Sequence, residues 1–78
     1  MVVLREIKKS NRIIEADFYP EGKDSVGHIS VDFMARKTVS LNNAEGYEHS
    51  SSASHAKAEL LRLAKLDSLP DVKRVYWY

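Results

Sequence analysis

Arg12-Ile13-Ile14-Glu15-Ala16-Asp17-Phe18-Tyr19 and, after a short polar gap, Val26-Gly27-His28-Ile29-Ser30-Val31-Asp32-Phe33 decide the fold. Both segments alternate apolar and polar residues, the period of a strand with one buried face. Pro20-Glu21-Gly22-Lys23-Asp24-Ser25 lies between them, polar and carrying both Pro and Gly, and reads as a loop. If Tyr19 sits opposite Val26, antiparallel pairing sets Phe18 against Gly27, Ala16 against Ile29 and Ile14 against Val31, all on one face. A slip of one residue would turn every apolar side chain to the other face, so register and pattern support each other. Phe18 opposite Gly27 also fits, because a large ring covers the gap a strand glycine leaves. The other face pairs Asp17 with His28 and Glu15 with Ser30.

Toward the N-terminus, Val2 to Lys8 reads as a strand of ambiguous face, with Val2 and Leu4 on one side and Val3 and Ile7 on the other. Ser10-Asn11 is a turn signal that makes a hairpin with the strand from Arg12. Toward the C-terminus, Met34 to Lys37 is a short connection, and Thr38 to Asn42 a fourth strand with Val39 and Leu41 inward. Asn43 to Ser51 is a polar loop, and Ser52 or Ser50 is a natural helix cap. From Ala53, the residues Ala56, Leu60, Leu63 and Ala64 recur at helical spacing, with Leu61 and Leu66 broadening the stripe. Leu69-Pro70 ends the helix region, and Val72 to Tyr78 forms a last strand. A helix with one apolar stripe over a sheet with one apolar face predicts a two-layer α+β domain. Its elements run β-β-β-β-α-β, about five antiparallel strands in the order 5-1-2-3-4 with one helix packed on one face. Strand five beside strand four would instead require a parallel pair.

The chain has 78 residues, 44% hydrophobic and 29% charged, which suits one folded domain over residues 1–78 and argues against disorder. With no cysteine, disulfides, thiolate metal sites and cysteine nucleophiles are excluded. Twelve Lys and Arg against eleven Asp and Glu give a net charge of +1, so no global field selects nucleic acid or membrane. The apolar run Met1 to Leu4 is far short of the roughly 7–15 residues of a signal-peptide core or the roughly 20 of a membrane span. A cytoplasmic chain without membrane contact is expected.

Residues able to do chemistry do not converge. Glu15, Asp17, His28 and Asp32 project from the uncovered sheet face, where side chains diverge into water, and Asp17 with His28 reads as a cross-strand polar pair. His49 and His55 are six apart, not the three or four that place ligands on one helix face, and read as solvated histidines near the helix start. Ser50, Ser51, Ser52 and Ser54 suit capping, and no Gly-rich turn opens the helix. No enzymatic activity, metal or cofactor is expected.

Lys73-Arg74-Val75-Tyr76-Trp77-Tyr78 is the most distinctive stretch. Alternation sends Val75 and Trp77 under the helix and leaves Arg74, Tyr76 and Tyr78 on the open face. Arg5 lies there beside them, sharing its face with Val3 and Ile7, and Tyr19 lies further across. Exposed aromatics rimmed by mixed charge mark association surfaces. The expected function is a small non-catalytic interaction module that binds a protein partner, or itself as a homodimer, through Tyr19, Arg5, Arg74, Tyr76 and Tyr78. The alternative is single-stranded nucleic-acid binding through the same aromatics with Arg5, Lys73 and Arg74. Against it stand Glu15, Asp17 and Asp32 on the same face and the absence of the RNA-binding motifs K/R-G-F/Y-G/A-F-V-x-F/Y and GXXG.

Tyr19-Pro20-Glu21-Gly22 leading into Gly27-His28-Ile29-Ser30-Val31-Asp32, then a helix and a closing Val75-Tyr76-Trp77-Tyr78, resembles small uncharacterised α+β proteins of Gram-positive bacteria over nearly the full length. The resemblance implies a compact cytoplasmic bacterial protein and brings no assigned activity with it. Met34-Ala35-Arg36-Lys37 stands where that pattern usually has a Gly-containing turn.

Overall fold

The computed structural model describes residues 1–77. In it β2 (Ile13–Pro20) and β3 (Gly27–Asp32) pair antiparallel with Phe18 against Gly27, Ala16 against Ile29 and Ile14 against Val31. All six of those residues are buried, and the residues between them are half-buried on the opposite face. β1 (Val2–Ser10) joins β2 through Asn11-Arg12, where Asn11 takes a left-handed φ of 51° that Asn tolerates well. β4 (Lys37–Asn42) pairs with β3, and β5 (Val72–Val75) pairs antiparallel with β1. The strand order is β4-β3-β2-β1-β5, with α1 (Ser52–Leu63) packed on one face chiefly against β2 and β3. This is the expected α+β arrangement, including the antiparallel place of the last strand beside the first.

Strict alternation in β1 places Ile7 with Val3 on the open face, and the structure corrects this. Arg5 pairs with Asp17 and Lys8 with Glu15, so Glu6 and Ile7 together oppose Ala16 in a bulge, with Glu6 at φ 54°. The bulge shifts the phase of the strand and returns Ile7 to the core, where Val2 and Leu4 already lie. It also turns Lys9 toward the helix, so its Nζ donates to the carbonyl oxygens of Ala64 at 2.9 Å and Leu66 at 3.4 Å. Carbonyls at a helix C-terminus lack intrahelical partners, and a lysine there satisfies hydrogen bonding and dipole together.

Leu41 stands opposite Ile29 on the inward face of the sheet, yet neither it nor Val39 is buried. Val39 is 59% and Leu41 41% exposed, and the whole of β4 is exposed. A second irregularity, between the pairs Ser30–Ser40 and Val31–Thr38, leaves Val39 without a partner on β3. The segment read as a polar loop instead contributes to the core, since Ala44 is fully buried and Tyr47 packs against it. Ser51, not Ser50 or Ser52, is the N-cap residue and makes no side-chain cap; the Ser52 N–H donates to Ser50 Oγ at 3.2 Å. Leu66 lies beyond the helix and is exposed rather than part of its stripe. β5 stops at Val75, and Tyr78 lies outside the described residues.

The β3–β4 turn manages without glycine. Asp32 Oδ1 accepts the N–H groups of Met34 and Ala35, each at 3.0 Å, its Oδ2 accepts Arg12 Nε at 2.8 Å, and Arg36 takes the left-handed φ of 58°. The Ala35 N–H, followed by Arg12 and the Met34 N–H, holds the Asp32 carboxyl below its ordinary value of 3.8 against the opposing effect of partial burial. A carboxylate lowered by folding stabilises the fold wherever it is ionised. That contribution is complete above 3.8 and is lost as pH falls through the lower folded-state value. Asp32→Asn is therefore expected to lower the melting temperature at neutral pH. Thermal melts of variant and native chain should converge in acid, as pH falls below 3.8 and the Asp32 carboxylate takes up its proton.

Candidate binding face

The register assembles the open face in rows. Val72, Arg5, Asp17 and His28 follow one another across the sheet, and Arg74, Val3 and Tyr19 form the adjacent row. Arg5 lies 5.8 Å from the centre of the Tyr19 ring, within cation–π reach. Two shallow depressions meet at Arg5. One is lined by Arg5, Val72, Lys73, Arg74 and Tyr76, the other by Val3, Arg5, Tyr19, Gly22, Lys23 and Asp24. Four of the five residues expected to bind, Arg5, Tyr19, Arg74 and Tyr76, are thus brought together; the fifth, Tyr78, lies outside the described residues. Lys73 pairs opposite Leu4 and is half-buried, so it edges the cluster without belonging to the open-face rows.

Tyr76 is 63% exposed because its neighbours hold the chain from the other side. Val75 packs against the core, and the Trp77 ring stacks on His55 of α1 with centroids 4.0 Å apart and planes 5° from parallel. Trp77 lies with the helix as expected, whereas His55 is a stacking partner and not the solvated histidine the sequence suggested. With residues on both sides tied to the helical layer, Tyr76 is presented outward.

Charge divides this face in two. On β2 and β3, His28 sits between both acids, with Nδ1 2.8 Å from Asp17 Oδ1 and Nε2 3.2 Å from Glu15 Oε1. Asp32 is engaged by Arg12. The Asp17–His28 pair is the expected one, and the second carboxylate is what the sequence did not reveal. On the β1–β5 side, Arg5, Lys73 and Arg74 form no ion pair among the described residues. No group of three or more His, Asp or Glu among the described residues is disposed to hold a metal ion. Glu48, the acid near His49, accepts the Gly46 N–H at 3.2 Å. Val72, with its side exposed beside Arg5, was missed in the sequence although it alternates with Arg74.

Comparison with known proteins gives no match: no family model fits the chain, and no curated protein or solved structure is significantly similar to it.

Proposed function

We propose that this chain is a non-catalytic interaction module that binds a protein partner, or a second copy of itself, through the β1–β5 half of its open sheet face. The observation that carries this reading is the placement of Arg5 and Arg74, exposed and without ion pairs among the described residues, between Tyr19 and Tyr76. Arg and Tyr are the residues that anchor interfaces, because each combines apolar area with directed hydrogen bonding. Cations without ion pairs among the described residues suit a partner segment that supplies carboxylates. A bacterial cytoplasmic setting belongs to the same reading and rests on the resemblance noted above. Among the described residues no helix is long and apolar enough to cross a membrane.

The test is a pull-down from native lysate with nuclease-treated and untreated arms, using the native chain and an Arg5→Ala, Tyr76→Ala variant of unchanged melting temperature. A partner that survives nuclease and binds the variant at least about 30-fold more weakly, the loss of one strong anchor, supports the proposal. A partner held equally by both proteins overturns it.

Single-stranded nucleic acid is a second reading, supported by one specific observation. The acids that would repel phosphate from this face, Glu15 and Asp17, lie against His28 instead of facing outward alone. Two phosphate contacts by Arg5 and Arg74 would give a log–log salt dependence with a slope of about −1.4. No binding to mixed oligonucleotides at low salt eliminates this reading.

A further inference from the structure

The outer edge of β4 is a different surface from the one just described. We infer that it pairs antiparallel with β4 of a second copy of this chain across a two-fold axis, joining two sheets edge to edge. A sheet's edge strand leaves a row of backbone N–H and C=O groups unpaired, and proteins guard such edges with proline, with a short strand, with charge, with a bulge or with a covering element. β5, the opposite edge, is four residues long and carries Lys73 and Arg74 in its middle. β4 is six residues long, has no proline, and its one charge, Lys37, is at its first position. Its bulge at Val39 lies toward that same end, and Ser40, Leu41 and Asn42 remain regularly paired with β3. Among the described residues no element covers it: every residue from Lys37 to Asn42 is exposed.

Two features of β4 choose a second copy as its occupant. The first is the spacing of its apolar residues. A two-fold axis through Ser40 sets Val39 opposite Leu41 of the second copy and Leu41 opposite its Val39, so two exposed pairs close on each other. Leu41 also forms one wall of a groove with Ile29 and Ala53 beneath the start of α1, which gives the incoming apolar side chain a place to lie. The second feature is charge complementarity. Arg36 and Lys37 open the strand, while Glu45 and Glu48 follow its end. Antiparallel pairing brings the basic end of each copy to the acidic end of the other, and symmetry makes this favourable twice. Pairing β4 with β5 of another copy would instead set Arg36 and Lys37 near Lys73 and Arg74, cations against cations.

Sedimentation equilibrium tests this directly. A small edge contact predicts a monomer–dimer equilibrium with a dissociation constant on the order of 100 μM, sampled from roughly 10 μM to 1 mM. Val39→Lys with Leu41→Lys should leave the melting temperature unchanged and weaken association at least about tenfold. Lys37→Glu and Glu45→Lys, each exposed and so free of folding consequences, should each weaken self-association, and an equimolar mixture of the two should restore it, because both cross-contacts then join opposite charges. A chain that stays monomeric at every concentration overturns the inference. So does a dimer indifferent to all β4 variants but abolished by Arg74→Ala with Tyr76→Ala. That second outcome would favour the open face as the self-association surface, so the two proposals fail separately.

Discussion

Replacing Phe18 with alanine is expected to remove about 3–5 kcal/mol of folding stability, a large part of the roughly 4–12 kcal/mol available to a chain of this length. Phe18 is the bulkiest of the fully buried side chains, and its ring lies over Gly27 on the neighbouring strand. The reciprocal experiment shows how tight that seat is. A Cβ on Gly27 would lie 2.7 Å from both Phe18 Cε1 and the Asn42 carbonyl oxygen, and closer still to Phe18 Cζ. Part of the clash is with the Phe18 ring and part with the backbone of β4, which cannot withdraw without loosening its pairing with β3. Gly27→Ala is accordingly expected to cost about 1–3 kcal/mol, a fall in melting temperature of about 4–8 °C for each kcal/mol.

A double-mutant cycle separates the two parts of the clash. In a Phe18→Leu background the smaller side chain vacates the ring position, so Gly27→Ala should cost about 1 kcal/mol less than in the native chain. It should not become neutral, because the Asn42 carbonyl remains. Urea melts with unchanged slope measure all four corners. Strict additivity of the two substitutions would mean that the ring does not occupy the space above Gly27.

How far the sequence reveals this architecture follows from what alternation reports. It reports which residues share a face, so the β2–β3 register, in which each apolar residue meets another or a glycine, could be read directly. A bulge resets the phase within a strand and is visible only as a conflict. β1 carries such a conflict, with Val2 and Leu4 of one parity and Ile7 of the other, and the Glu6–Ile7 bulge resolves it. β4 carries none: Val39 and Leu41 alternate cleanly, yet alternation does not say whether anything lies above the strand. That question is one of width. Five strands at about 4.8 Å spacing span about 20 Å or more, whereas a helix with side chains is about 10–12 Å across. One helix over β2 and β3 must leave an edge strand bare, and the edge it leaves is β4.

The same reasoning sorts the candidate site. Arg5, Tyr19 and Arg74 share a face by parity and register alone, so their assembly was legible. The His55–Trp77 stack and the double engagement of His28 join side chains whose proximity depends on how the helix and strands settle, which no local spacing encodes. Ala44 and Tyr47 lie in a stretch dominated by polar residues, so its average composition hid the two residues that anchor it to the core.

Leu60→Ala is expected to cost about 2–5 kcal/mol, and the order of losses among three leucines tests where the helix lies. Leu60 is fully buried beneath α1, Leu61 is half-buried at its flank, and Leu41 is 41% exposed on the bare edge. α1 has twelve residues, a length that is marginal for a helix in isolation, so its order depends on the side chains it buries against the sheet. Removing Leu60 therefore weakens the helix and uncovers β2 and β3 together, and helical circular dichroism should be lost in one transition with the sheet. Leu61→Ala should cost less than Leu60→Ala, and Leu41→Ala should stay within about 0.5 kcal/mol of the native chain. Equilibrium denaturation of the three variants at low protein concentration reads this order. A loss for Leu41 comparable to that for Leu60 would place the helix over β4, so that Leu41 would already be covered and could not close on Val39 of a second copy.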